Sequence, residues 1–309
     1  MEPSKKSKRI TCLVVLAIAI ISLLDEVQMI TSRRKTLLED EVMKDSMGDV
    51  GDFVDDADTP IFWHIPNSGG SSMKSYYNCM GLVEASEIGL EMGLARSGLT
   101  DIAFTEYPTI ATQMFDAEHQ ARFFTLIRHP IERTASLFHH QISEMMKEEG
   151  IHKPDLAHLT LEDFARQRID SKDNGGFMVS SLTDKRHSDP LTNDDLERAK
   201  DILRHKFIIG LMPKMEESIN RFDNYFGWHT IRDHERCFDV CIRQGKRSDS
   251  YENVEESSEV WKMLEKFHYF DMQLYEYALE LYDYQANLVL VQSQDELVVG
   301  GGNAPVESN

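Results

Sequence analysis

The sequence predicts an α/β fold in which a central, mostly parallel sheet is flanked by helices. Three observations point there. Short apolar or β-branched runs at Ile61–His64, Ile102–Thr105, Phe123–Ile127 and Phe207–Leu211 read as strands. Helical patterns fall between and after them, and strands alternating with helices build a parallel sheet covered on both faces. Two of the strands run straight into a turn and a helix carrying Gly, Ser or Arg.

The chain has 309 residues, enough for one full catalytic core with length left for a tether or tail. With 33 Lys+Arg against 53 Asp+Glu the formal net charge is −20, which argues against a broad surface for nucleic acid or another polyanion. An anion must then be bound locally, by backbone N–H groups and a helix N-terminus.

At the N-terminus, Lys5, Lys6, Lys8 and Arg9 precede the apolar run Ile10–Leu24, and Asp25 and Glu26 follow. The run is shorter than the ~20 residues that comfortably span a bilayer and overlaps the size of a signal-peptide core. Its basic N-terminal flank and the lack of a clear small-x-small cleavage site favour an uncleaved anchor over a cleaved signal. The expected organisation is a cytoplasmic segment 1–9, an anchor 10–24, a solvated stem 25–58, a folded domain 59–288 and a disordered tail 289–309.

Within the domain, Thr160-x-x-Asp163 and Thr192-x-x-Asp195 read as capping boxes in front of amphipathic segments. Val260, Leu264, Phe267, Leu274, Tyr277, Leu281 and Tyr284 recur at helical spacing and predict one long C-terminal helix. Cys12 lies in the apolar run, leaving Cys79, Cys237 and Cys241 for the folded part. A Cys237–Cys241 bridge is conceivable in an oxidising lumen, with one thiol left over. No zinc-ligand spacing and no Asn-x-Ser/Thr sequon is present.

Chemistry concentrates in two motifs. The segment FWHIPNSGGSSMKSYY is a strand, a Gly-Gly turn and a helix opening near Ser71. Its glycines allow close backbone approach, while Ser68, Ser71 and Ser72 add hydroxyls to the orphan N–H groups of the helix start. No lysine stands directly before the serine pair, so it is not a Walker A loop. The segment RFFTLIRHPIERTASLFHHQ repeats the plan, with Arg128 at the strand end and Arg133 and Ser136 on the next helix. An Arg and a Ser so placed can face the crevice at the carboxyl ends of the strands and clamp a phosphate.

Gly-Gly-Ser-Ser after the first strand, with Arg-x-Pro-x-x-Arg-x-x-Ser after a later one, resembles the PAPS-dependent sulfotransferases, most closely their membrane-anchored, carbohydrate-modifying branch. Weaker likeness continues through Asn174–Leu182, Ala199–Trp228 and the LYEYALELYDYQ helix, so that it spans about residues 59–288. The resemblance implies a P-loop-like three-layer fold and 3′-phosphoadenylyl sulfate (PAPS) as donor, with no metal. It implies that Ser68, Gly69, Gly70, Ser71 and Ser72 bind the 5′-phosphosulfate and that Arg128 and Ser136 bind the 3′-phosphate, with Arg133 a secondary candidate. Lys246 and Arg247, in the run Gly245–Ser248, are candidates to close over the nucleotide. In AFTEYP, Glu106 is the candidate base, with His64 behind it. A single-pass type II protein facing the Golgi lumen follows from the same resemblance.

One position departs from that pattern: Asn67 stands where the family's loop normally carries Lys, so the loop brings a hydrogen-bond donor but no charge to the sulfate. The expected activity is sulfuryl transfer to a hydroxyl, less favourably an amine, of a carbohydrate or small lipid-like acceptor. A donor-binding protein without turnover is the first rival, and a nucleotide kinase of P-loop type the second.

Overall fold

A computed structural model of the chain describes residues 45–52, 57–86, 98–148, 159–244 and 253–299. Five strands, β1 (Thr59–Trp63), β2 (Glu84–Ser86), β3 (Ile102–Thr105), β4 (Ala121–Ile127) and β5 (Phe207–Leu211), form one sheet in the order β2-β3-β1-β4-β5. Every pairing is parallel. The helices are α1 (Gly70–Cys79), α2 (Pro108–Ala111), α3 (Pro130–Glu148), α4 (Leu161–Asp170), α5 (Phe177–Leu182), α6 (Asn193–Lys206), α7 (Met215–Tyr225), α8 (His234–Phe238), α9 (Glu259–Phe267) and α10 (Tyr269–Val299). The chain leaves β1 for the β2/β3 side and crosses back to β4, so strand order reverses at β1 and a crevice opens beyond its carboxyl end.

Because helices cover the sheet, its strands are apolar on successive residues rather than on alternate ones. Phe62 in β1 lies opposite Phe104 in β3 and Phe124 in β4, with ring centroids 5.2 and 5.3 Å apart. The next residue, Trp63, points to the other face and meets Phe207 at 5.5 Å. α1 buries Met73, Tyr76 and Tyr77, the one-face spacing of a helix, and Tyr77 packs edge-on to Phe124 and Trp228. Phe222 of α7 reaches Phe124 from the same side.

The strands stand where the apolar runs put them, save for the three-residue β2, too short and mixed to be read. Both capping boxes form, each Thr hydroxyl accepting from the N–H of the Asp three residues on. Four expectations are corrected. Ser46, Met47 and Val50 are buried although the stem was expected to run to residue 58. Met47 bridges Ala121, and Arg122 donates to Asp58 at 2.6 Å and to the Asp49 carbonyl at 2.7 Å, so the packed part begins ahead of β1. The charged character of 25–58 hid these few anchors.

The C-terminal helix, expected as one piece, is two. His268 interrupts it, buried, with Nδ1 2.6 Å from the Gly175 carbonyl and Nε2 2.8 Å from the Thr134 hydroxyl. Apolar spacing continues through such a break, so periodicity does not register it. α10 then runs to Val299, beyond the residue-289 boundary expected for a disordered tail, and residues 300–309 lie outside the described residues. Within α10, buried Gln285 accepts from the N–H of Ile209 and donates to the carbonyl of Phe207, capping the edge of β5 as a further strand would.

The disulfide joins Cys79 to Cys237, tying the end of α1 to α8, and Cys241 is free. This replaces the Cys237–Cys241 pairing, because the C-terminal end of α1 lies against α8. Among the described residues no helix is long and apolar enough to cross a membrane, and the run Ile10–Leu24 lies outside them.

The bridge closes a loop of 158 residues, which removes much freedom from the unfolded chain. Replacing Cys79 and Cys237 together by Ala should lower unfolding stability by about 2–5 kcal/mol in urea titrations. Cys241→Ala should change it by less than about 0.5 kcal/mol.

Candidate active site

The first motif turns from β1 into α1 within six residues. Asn67 takes a left-handed conformation at φ 62° and Gly69 another at φ 92°. Asn tolerates this region because its short amide can bond locally, whereas Gly adopts it without a Cβ penalty. The Ser68 N–H donates to the Ile65 carbonyl at 3.2 Å, and the Gly69 carbonyl accepts from Ser72 and Met73 at 3.0 and 3.2 Å. Turns that include left-handed residues can present backbone N–H groups to an anion.

Three features fit a phosphosulfate here. α1 has no side-chain N-cap, so the N–H groups of Gly70 and Ser71 at its start are left for a ligand. Ser68 is 1% exposed and its hydroxyl has no protein partner, a cost that an anion oxygen would relieve. Gly70 has no room for a side chain, because the Cδ2–Nε2 edge of the His64 imidazole takes up the space in front of its Cα. Ser71 is exposed, Ser72 half-buried, and Met212 and Met215 wall the loop beside Gly69.

The second motif meets the first directly. β4 pairs with β1 in register, Trp63 opposite Thr125, and the Thr125 hydroxyl donates to the Trp63 carbonyl at 2.9 Å. Arg128, just past the end of β4, donates through Nη1 to the Asn67 carbonyl at 3.1 Å. Ser136 lies buried on α3, one helical turn beyond Arg133.

Arg133 is buried and faces another way. Its guanidinium stands 5.0 Å from the Phe177 ring and 3.8 Å from Asp271, and its Nε has no partner. Burial lowers its pKa while Asp271 raises it. Asp271, fully buried, accepts the N–H groups of Met178 (3.0 Å) and Val179 (3.1 Å) at the start of α5. Together with His268, it fastens α5 and the 174–176 turn to the helix that carries Ser136. His268 stays neutral, since burial, reinforced by Arg133, pushes its pKa down to about 4.

Glu106 follows β3, half-buried, and the register Trp63 opposite Thr105 sets it beside His64, whose N–H donates to the Thr105 carbonyl at 2.7 Å. Tyr107 and Ile110 are exposed next to it. Lys74 lies over the Phe104 ring at 5.1 Å and pairs with Glu84 at 3.5 Å. Lys246 and Arg247 lie outside the described residues. Among the described residues no group of His, Cys, Asp or Glu side chains is arranged to hold a metal ion.

The sequence reading missed two supports. Asp271 falls on the apolar face that runs through Leu264, Phe267 and Leu274, and a lone acid on such a face is the signal that could have found it. Asp223 sits likewise among Ile219, Phe222 and Tyr225. It accepts from the Tyr76 hydroxyl at 2.6 Å and stands 3.0 Å from His234 Nε2, holding α1 against α7 and α8. Burial raises the Asp223 carboxyl to about 6, against the pull of those two partners.

The sulfotransferase family model matches residues 52–278. No curated protein matches the chain significantly.

Burial also raises the Asp271 carboxyl to about 6, opposed by Arg133 and the two N–H donors. The folded protein therefore holds this proton more tightly than the unfolded chain does. The associated stability is present below about pH 4 and is lost as pH rises through about 6. In urea titrations from pH 4 to 7, wild type should lose up to about 2–3 kcal/mol relative to Asp271→Asn. A stability difference that stays constant with pH would contradict the assignment.

Proposed function

The chain belongs to the sulfotransferase family, and we propose that it moves a sulfuryl group from PAPS to a hydroxyl of a carbohydrate or small lipid-like acceptor, an amine being the less favoured nucleophile. The observation that carries this reading is the contact between the motifs, Arg128 Nη1 on the Asn67 carbonyl. A phosphate-sized nest and an arginine suited to a second phosphate then share one crevice, as a nucleotide phosphorylated at both ends of its ribose requires.

In this reading Ser68, Gly69, Gly70, Ser71 and Ser72 hold the 5′-phosphosulfate, and Arg128 and Ser136 hold the 3′-phosphate. Arg133 acts through Asp271 and Phe177 to set the angle between α3 and α5. Sulfuryl transfer needs in-line placement and charge stabilisation more than covalent help. Glu106 takes the proton of the attacking hydroxyl. The net charge of −20 favours a neutral or cationic acceptor over a polyanionic glycan.

The disulfide between Cys79 and Cys237 suits an oxidising compartment. With the basic flank of Ile10–Leu24, it supports a type II arrangement with the catalytic part in a lumen, the Golgi by family likeness.

Asn67 favours one second reading, a protein that binds the donor without turnover, because the loop itself supplies no cation. Incubating the chain with radiolabelled PAPS and a panel of sugar, sterol and amine acceptors separates the two. Labelled product is expected. PAP binding with no product from wild type or Asn67→Lys would leave only the binding reading.

Arg128→Ala should weaken PAP binding roughly 10–100-fold, the worth of a hydrogen bond to a charged group, and erase any preference for PAP over AMP in calorimetric titration. Ser136→Ala should give a smaller loss in the same direction. A preference for PAP that survives both changes would exclude these residues from the 3′-phosphate.

A further inference from the structure

The sulfate-binding turn from Ile65 to Ser72 contains no Lys, Arg or His, yet sulfuryl transfer leaves growing negative charge on the departing phosphate. The nearby lysines face elsewhere: Lys74 toward Glu84 and the Phe104 ring, Lys214 toward Asp283 at 3.8 Å and the Tyr282 ring at 4.9 Å. Arg128 meets the turn at the Asn67 carbonyl.

His64 is differently placed. It follows β1 directly, and the Cδ2–Nε2 edge of its ring presses on Gly70, the first residue of α1, where the uncapped N–H groups begin. A group in contact with the backbone of the nest lies on the donor side. Glu106 follows β3, one strand farther out from the turn.

We infer that His64 supplies the leaving-group hydrogen-bond donor that the turn lacks and is not a second base. This rests on the transfer reading above. As the bond from sulfur to the acceptor oxygen forms, the bond from sulfur to the 5′-phosphate oxygen breaks, and that oxygen keeps the electron pair. His64 donates its ring N–H to this oxygen, while the acceptor's proton passes to Glu106. The division of work explains how Asn67 can occupy the turn: a left-handed position at φ 62° suits Asn well, and the donor to the departing oxygen comes from the strand end instead.

The test uses the full chain and radiolabelled PAPS without added acceptor, so that water takes the sulfuryl group and inorganic sulfate is counted. PAP affinity is measured alongside. His64→Gln should lower sulfate release by roughly 10²-fold, the loss typical of removing one preorganised donor, with PAP still bound. His64→Lys should retain most of the release, and adding Asn67→Lys to His64→Gln should recover it. A base would be rescued by neither lysine in this way. Unchanged release in His64→Gln, or a loss that neither lysine restores, overturns the assignment and leaves the transfer reading standing. A wild type that binds PAP and releases no sulfate, with or without acceptors, overturns both.

Discussion

The hydrogen bond from Arg128 to the Asn67 carbonyl joins two parts of the chain that are 61 residues apart, and the site depends on it. It follows from β1 and β4 being neighbours in register, starting at the same level of the sheet, with β4 running two residues past the end of β1. The left-handed pair Asn67 and Gly69 then turns the backbone sharply enough for α1 to start beside the strand end. A side chain at Gly70 would collide with His64, so the turn, the helix start and the histidine have to be accepted together.

That turn is held from below by groups with no direct part in chemistry. Tyr76, one and a half turns into α1, is bonded to Asp223, and Cys79 at its end is covalently fixed to Cys237. On the other side of the crevice Asp271 and His268 bind the start of α5 and the 174–176 turn to α3 and α10. Both buried acids satisfy backbone or side-chain donors that would otherwise be stranded, which is how a carboxyl is tolerated in a core. Preorganisation of this kind matters where charge must be met without rearrangement.

Much of this could be read beforehand. Runs such as Phe123–Ile127 and Phe207–Leu211 are apolar on both faces and could belong only to a covered sheet, and the two Thr-x-x-Asp boxes fixed their helix starts. Both motifs of the proposed anion site stood out because glycine, serine and arginine at strand ends have few other uses in combination. What escaped was tertiary. The pairing of Cys79 with Cys237 depends on helices meeting 158 residues apart. Asp223, Asp271, His268 and Gln285 each sit on an apolar face, where spacing alone assigns core and gives no partner. Met47 and Val50 lay in a charge-rich stretch too sparse in apolar residues to show a pattern.

The central claim is that two motifs form one site for a 3′-phosphorylated nucleotide, and hydrogen–deuterium exchange with and without PAP tests it most directly. The account predicts slower exchange in peptides covering residues 64–73 and 127–137 together, at the same PAP concentration, and a weaker effect with AMP. Protection of one segment without the other, or equal protection by PAP and AMP, would contradict it.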